Sequence, residues 1–279
     1  MLIAQITDCH VGEDGALMAD RVDAAAALDR AVQVVNALDP RPGVVLATGD
    51  LVDDGRPAQY DRLMDGLARL DVEIVLPCVG NHDDRQELRR RFADVVPPGA
   101  ADEPVDYVHD TDDLRLIGLD TSIPGRNDGR LTADQMAWLD ERLGEVTDRG
   151  VLVFQHHPPF ASDIPWMDRE CGFEGARLEA EVLARHPHVE AVVCGHFHRS
   201  IHRRFAGTVA SCWPSTAAQL ALELVDGSPR YTDEPAAIGL HRYEPGVGLS
   251  SHLVPIVEAE PWTPSWGHLS ADDVPPGRV

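Results

Sequence analysis

Five short clusters of metal-loving side chains punctuate this chain, and nearly every one follows an apolar run that reads as a β-strand. In order they are Asp8-Cys9-His10, Gly49-Asp50, Gly80-Asn81-His82-Asp83, His156-His157 and Gly195-His196-Phe197-His198. The runs before them, LIAQIT, VVLAT, VEIVLPCV, VLVFQ and VEAVVC, are rich in Val, Ile and Leu. In an open α/β sheet, ligands gather where strand carboxyl ends meet, so the clusters are expected to converge in space. Oxygen donors from Asp and Asn, mixed with several imidazoles, suit a pair of divalent ions such as Mn, Fe or Zn. Asp8 and His10 stand two apart, as do His196 and His198, which on an extended segment points both side chains the same way. Spacing gives proximity only; it does not say which residue meets which ion.

With 279 residues, 43% apolar and 25% charged, the chain has material for one large α/β domain with an ample core. Its formal net charge of −23 is far from ordinary. Nucleic acid polymers and anionic membranes call for a basic footprint, so neither is an expected partner. The same field repels an anionic substrate, whose attraction must come from cations held locally. Cys9, Cys78, Cys171, Cys194 and Cys212 form no CxxC pair and are odd in number, so reduced thiols are expected rather than a disulfide framework. No basic and apolar leader precedes the first strand run, and no apolar stretch approaches the roughly 18 residues of a membrane span. A cytoplasmic location is therefore expected.

Between the clusters the apolar spacing turns helical. It predicts helices over Asp20–Leu38, Pro57–Leu70 and Asp84–Val95, and from a Thr132/Gln135 capping box to about Val146. YVHD and LRLIGLD read as two further strands. Segments near Ser200–Phe205, Leu220–Val225, Ile238–Tyr243 and Leu249–Val254 are expected to form a second sheet. The expected fold class is α/β, a two-sheet β-sandwich flanked by helices, over residues 1–254. Pro158–Gly175 reads as a long polar-aromatic loop. Residues 255–279 hold five prolines and no clear period, and are expected to form an extended tail.

The order DxH, GD, GNHD, HH, GHxH resembles that of the calcineurin-like metallophosphoesterase superfamily. Within it the chain resembles the bacterial class III cyclic-nucleotide phosphodiesterases and the related glycerophosphodiesterases. The likeness runs from Leu2 to about Gln219 and includes Gly55-Arg56-Pro57, Asp84 and Pro158-Pro159. One DxH alone carries no weight, whereas five clusters in family order are specific.

The resemblance implies the four-layer αββα metallophosphoesterase fold and two divalent metal ions. Asp8, His10 and His198 are implied to hold the first ion, and Asn81, His156 and His196 the second. The carboxylate of Asp50 is implied to bridge them at about 3.5–4 Å separation. His82 is implied to be catalytic alongside Asp50, facing the substrate with a proton to give near neutral pH. Asn81, His82 and His198 are also expected to contact substrate. Asp83 is expected to orient His82 or its loop, and His157 to fix its loop or touch substrate. Asp53 and Asp54 fit either a supporting role or a solvated turn. His186, His188, His202, His241, His252 and His268 show no ligand spacing.

The implied reaction is hydrolysis of a small phosphodiester by a metal-activated hydroxide attacking phosphorus in line. Val79 stands where phosphatases of the protein-phosphatase type usually carry Arg, which favours a diester. A catalytically silent metal-binding scaffold is the non-enzyme alternative, but such relatives typically lose ligands that this chain keeps. Cyclic nucleotides such as cAMP are placed ahead of glycerophosphodiesters because Ala218 falls where the glycerophosphodiesterase branch has a histidine. A promiscuous diesterase stands nearly level. The loops around Arg56, Asn127, Trp166 and Trp213 are expected to read the leaving group. The Pro158–Gly175 loop is expected at the pocket mouth or a subunit contact. The resembling enzymes commonly assemble, so a homo-oligomer, a dimer or larger, is expected.

Overall fold

Short β-branched runs alternate with amphipathic helices, and each cluster-bearing run becomes a strand in the computed structural model, which describes residues 1–257, 259, 262 and 263. The chain begins β1 (Leu2–Ile6), α1 (Ala24–Asn36), β2 (Val44–Thr48), α2 (Pro57–Leu67), β3 (Ile74–Cys78) and α3 (Arg85–Arg91). It continues with β4 (Tyr107–Asp110), β5 (Leu114–Leu119), β6 (Gly129–Arg130), α4 (Ala133–Gly144) and β7 (Gly150–Gln155). Then come α5 (Pro165–Glu170), β8 (Phe173–Glu174), α6 (Ala176–Leu183) and β9 (Val189–Cys194). The last elements are β10 (Ile201–Phe205), β11 (Thr208–Cys212), β12 (Gln219–Leu220), β13 (Tyr231–Thr232), β14 (Ala237–Glu244) and β15 (Gly248–Pro255). Helix starts follow local chemistry. Asp23 caps α1 by accepting from the Ala26 N–H, Pro57 opens α2, and Thr132 with Gln135 makes the predicted box on α4.

Two sheets result. In the first, β1, β2 and β3 run parallel and β14 then β15 add antiparallel, giving the order β15-β14-β1-β2-β3. In the second, β10-β11-β9-β7-β5-β4, the inner strands are parallel and both edges antiparallel. Ile3, Leu46, Leu116, Leu152, Phe154 and Val193 join the two sheets in one buried core, to which α1, α2 and α3 contribute Leu28, Leu63 and Leu88. A second core sets Met136, Leu139 and Leu143 of α4 and Val182 and Leu183 of α6 against Ile117, Val151 and Val153. The layers are α, β, β, α. All five cysteines are free, and Cys9, Cys78, Cys194 and Cys212 are buried. Among the described residues no helix is long and apolar enough to cross a membrane.

Three expectations need correction. The late strands make no second large sheet: β14 and β15 extend the first sheet, β10 and β11 extend the second, and β12 pairs only with β13 in a two-stranded ribbon. Each parallel set would otherwise expose a row of unpaired N–H and C=O groups, which the antiparallel strands satisfy. Leu220–Val225 is a strand only at its start; Leu222, Leu224 and Val225 stand exposed instead of packing on a sheet. Pro158–Gly175 is more than a loop, because Pro165 opens α5 and β8 pairs with β6. There the Asp168 carboxylate accepts from the Ser162 and Asp163 N–H groups and the Ser162 hydroxyl, folding the segment on itself. Of the expected tail, Pro255 ends β15 and the Ile256 N–H still bonds the Ala236 carbonyl. Most of that tail, with His268, lies outside the described residues.

Candidate metal centre

Every cluster sits just past a strand end: Asp8 and His10 after β1, Asp50 after β2, Asn81 and His82 after β3, His156 after β7, His196 and His198 after β9. The first three strands belong to one sheet and the last two to the other, so the clusters meet at a shared edge of the sandwich. Asp8 (φ +50°), His10 (+45°), Asp50 (+48°), His196 (+74°) and His198 (+47°) all adopt the left-handed region. A non-glycine residue there costs on the order of 1–3 kcal/mol and persists only when its surroundings fix it, a pattern concentrated at functional sites. Asp8/His10 and His196/His198 therefore do not lie on extended segments as their spacing suggested. Each pair converges through a tight turn beyond its strand.

The surroundings that fix them are visible. The Asp8 N–H donates to the Gly49 carbonyl (3.0 Å), that of His10 to the Asp50 carbonyl (2.9 Å), and that of Gly195 to the His156 carbonyl (3.0 Å). The His82 and His196 N–H groups donate to the carboxylates of Asp50 and Asp8, both at 2.9 Å. A Cβ on Gly80 would lie 2.1 Å from the Asp50 nitrogen, and one on Gly195 2.0 Å from the Thr7 hydroxyl. Glycine before Asn81 and His196 is thus what lets the turns touch.

The donor atoms crowd together. His10 Nε2 lies 3.2 Å from His198 Nε2 and 3.7 Å from Asp50 Oδ2, and His198 Nε2 is 3.3 Å from Asp8 Oδ1. On the other side His156 Nε2 lies 3.2 Å from both Asp50 Oδ2 and Asn81 Oδ1. Asp50 thus touches both groups. His156 Nδ1 donates to the Thr48 carbonyl (2.8 Å) and His198 Nδ1 to that of Ala218 (2.7 Å), which turns both Nε2 lone pairs inward. His196 Nε2 is buried with no partner among the described residues. With the imidazoles neutral, several lone pairs face the Asp50 and Asn81 oxygens and His196 Nε2 has no partner, a donor set that a cation satisfies. The residues fit divalent metal ions.

Charge follows the same plan. Burial would raise the Asp50 carboxyl, yet His156, His82 and His10 hold it well below the ordinary carboxylate value. Burial would lower His156, but Asp50 and Asp8 push it up to about 9. His196 is driven well below the usual imidazole value by burial and by His157 and His156. For His82, burial is outweighed by Asp50 and the Asp53 carbonyl, and the ring stands above its usual value.

Neighbouring residues take definite places. His157 gives one nitrogen to the Thr121 hydroxyl (2.8 Å) and the other to the Asn127 carbonyl (3.2 Å), so it fixes its loop. His82 Nδ1 donates to the Asp53 carbonyl at 2.6 Å, and the Asp53 carboxylate lies 3.5 Å from His10 Nδ1. Asp53, not Asp83, orients His82. Asp83 takes the other role expected of it and holds its loop, accepting from the N–H groups of Gly80, Leu51 and Val52 and from the Tyr60 hydroxyl and so clamping two loops. Asn127 and Trp166 line the cleft above the cluster, as expected. Arg56 and Trp213 do not: Arg56 is exposed and paired with Glu13, and Trp213 is buried between the sheets. Met167 and Cys171, from the segment expected at the pocket mouth, also line the cleft, whereas Leu220 and Tyr231 escaped sequence reasoning, for they carry no ligand chemistry and arrive by tertiary folding alone.

An αββα sandwich whose strand ends deliver this donor set defines a metal-dependent phosphoesterase. Residues 1–200 match the calcineurin-like phosphoesterase family, and the chain belongs to it. It is 32% identical over 254 residues, 90% of this chain and 92% of the other, to a probable glycerophosphodiester phosphodiesterase of Arcobacter nitrofigilis. It is 34% identical over 261 residues, 91% of this chain and 79% of the other, to a cAMP/cGMP dual specificity phosphodiesterase of Mycobacterium tuberculosis. Among solved structures it resembles a dimetal phosphatase from Danio rerio, with a TM-score of 0.62 and 16% identity over 92% of this chain and 99% of that one. That last likeness concerns the fold.

Proposed function

We propose that this metal-dependent phosphodiester hydrolase holds two divalent ions, Mn, Fe or Zn, and that its substrates are 3′,5′-cyclic nucleotides such as cAMP. Asp8, His10 and His198 would hold one ion, Asn81, His156 and His196 the other, and Asp50 both. The observation that carries this is the Asp50 carboxylate, reached by His156 from one side and His10 from the other. Two such ions, when bound, acidify a water near neutral pH and neutralise charge on the phosphoryl oxygens. The chain's own groups do the rest. With Nδ1 bonded to Asp53, His82 presents Nε2 to the cleft and gives its proton to the leaving alkoxide as the P–O bond breaks. Asn81 and His198 border the phosphoryl position, and Trp166, Met167 and Tyr231 form the wall above it.

The cyclic-nucleotide preference rests on space. A second cavity of about 360 Å³, bordered by Arg21, Ala218 and Asp233, shares Tyr231 with the cleft. A methyl at Ala218, in place of an imidazole, leaves that side open to a nucleoside. The named activity of the Mycobacterium relative supports the same choice, whereas that of the Arcobacter relative favours a glycerophosphodiester. Comparing kcat/KM for cAMP and glycerophosphoethanolamine at one Mn²⁺ concentration separates the two. A strong preference for the glycerol diester refutes the nucleotide and leaves the metal chemistry standing.

A further inference from the structure

Gln5 is a polar residue in the middle of an apolar strand, buried between two sheets. Such a group is costly to bury unless its hydrogen bonds are made. All of its principal ones are. Its Nε2 lies 2.8 Å from the Thr48 hydroxyl on β2 and 3.1 Å from the Cys194 carbonyl on β9. A carbonyl only accepts, so the amide nitrogen must face Cys194 and the amide oxygen must face away. That oxygen lies 3.0 Å from His241 Nε2 on β14, while His241 Nδ1 lies 2.8 Å from the Ser251 hydroxyl on β15. His241 therefore donates through Nε2 and accepts from Ser251. Burial, with His202 and His252 nearby, depresses the His241 imidazole to about 3, which keeps it neutral for that arrangement.

The positions joined in this way are significant. Gln5 lies three residues before Asp8, Thr48 two before Asp50, and Cys194 two before His196. The Thr48 carbonyl also accepts from His156 Nδ1, and the Thr7 hydroxyl lies 3.1 Å from that carbonyl and 2.7 Å from Asp8 Oδ2. We infer that Gln5 is a positioning residue: its amide ties the two sheets together beneath the centre and sets how far Asp50, on the first sheet, stands from His156 and His196, on the second. The inference rests on the dinuclear centre proposed above. Ligands drawn from two separate sheets keep their spacing only if the sheets keep theirs, and Gln5 fixes that spacing one turn below the donors. Residues that support ligands in this way typically change metal affinity by about 10–100-fold.

The test uses the full chain loaded with Mn²⁺. Binding is followed by titration and the exchange-coupled Mn–Mn signal by electron paramagnetic resonance. The wild type should take up two ions and show coupling; uptake of a single ion refutes the dinuclear reading itself. Gln5→Met, similar in length but without the amide, should melt close to wild type in the metal-free state. It should weaken the second ion about 10–100-fold, weaken the first as well because Asp8 and His198 straddle the same two sheets, and lose the coupled signal. Unchanged second-site affinity and coupling overturn the inference. Should Gln5→Met fail to fold, Gln5→Asn keeps an amide but is one methylene short of the Cys194 carbonyl on the other sheet. Weaker second-ion binding in that variant supports the role of Gln5, and wild-type binding refutes it.

Discussion

The floor of the cleft is made by turns at the ends of five strands, where Asp8, His10, Asp50, His156, His196 and His198 are all buried. Its rim is made by α5 and the β12–β13 hairpin, where Tyr231 is 47% exposed and Leu222, Leu224 and Val225 of the connecting loop more so. On the floor, strained backbone is locked by bonds between neighbouring turns. On the rim, Trp166, Met167 and Tyr231 reach over the site from α5 and the hairpin, with none of the left-handed backbone found on the floor. On the proposed reading, the reaction belongs to the floor and the choice of leaving group to the rim. Changes on the floor should alter metal content or rate for every diester; changes on the rim should alter which diester is preferred.

The largest effect is expected at Asp50. Asp50→Ala removes the carboxylate between the two donor groups and, in the proposed dinuclear centre, would leave two cations without a shared anion. It should lose at least one ion and fall to the detection limit with the fold retained. Metal analysis and circular dichroism check this; two ions and near-native turnover would break the floor's assignment. Next comes His82→Ala, with normal metal content and a rate lowered by about 10²–10⁴-fold. The deficit should shrink for nitrophenolate esters, which leave without protonation. An equal deficit for alkyl and nitrophenyl leaving groups assigns His82 to positioning.

Metal uptake supplies a third test of the floor. The carboxylates of Asp50 and Asp8 hold His156 protonated up to about pH 9 in the metal-free protein, although burial opposes this. A ligating imidazole must be neutral, so binding at the second site displaces that proton. Below about pH 9, affinity at that site should fall about tenfold per pH unit, with roughly one proton released per ion in buffers of differing ionisation enthalpy. A pH-independent affinity would overturn the assignment of a protonated His156 as a second-site ligand. The smallest effect belongs to the rim: Tyr231→Ala should raise KM for cAMP by about tenfold and leave metal content untouched. Equal loss on cAMP and glycerophosphoethanolamine would erase the distinction between rim and floor.

The floor was legible in the sequence because its chemistry is written in residue types. Asp, Asn and His at strand ends announce themselves, and the strands announce themselves through Val, Ile and Leu. The positive φ of five candidate ligands was not legible, since Asp and His enter the left-handed region more readily than most residues but still seldom; the glycines at 49, 80 and 195 hinted at close approach. Gln5 left a signal in its apolar strand, yet one amide in a strand does not say what it bonds. The rim was illegible for a different reason. Tyr231 pairs with Leu220 across an eleven-residue separation, and its place over the cleft depends on long-range packing. Trp213 shows the opposite error: it lies near the motif segment in sequence but between the sheets in space.

Dependence of phosphodiester hydrolysis on the metal ions can be measured on a single sample. Metal content by mass spectrometry and turnover of bis(p-nitrophenyl) phosphate are followed through removal by chelator and return of Mn²⁺. Two ions per chain, loss of turnover with the ions and recovery with Mn²⁺ are predicted. Full turnover by metal-free protein would contradict the assignment of the cleft floor as a metal centre that performs the reaction.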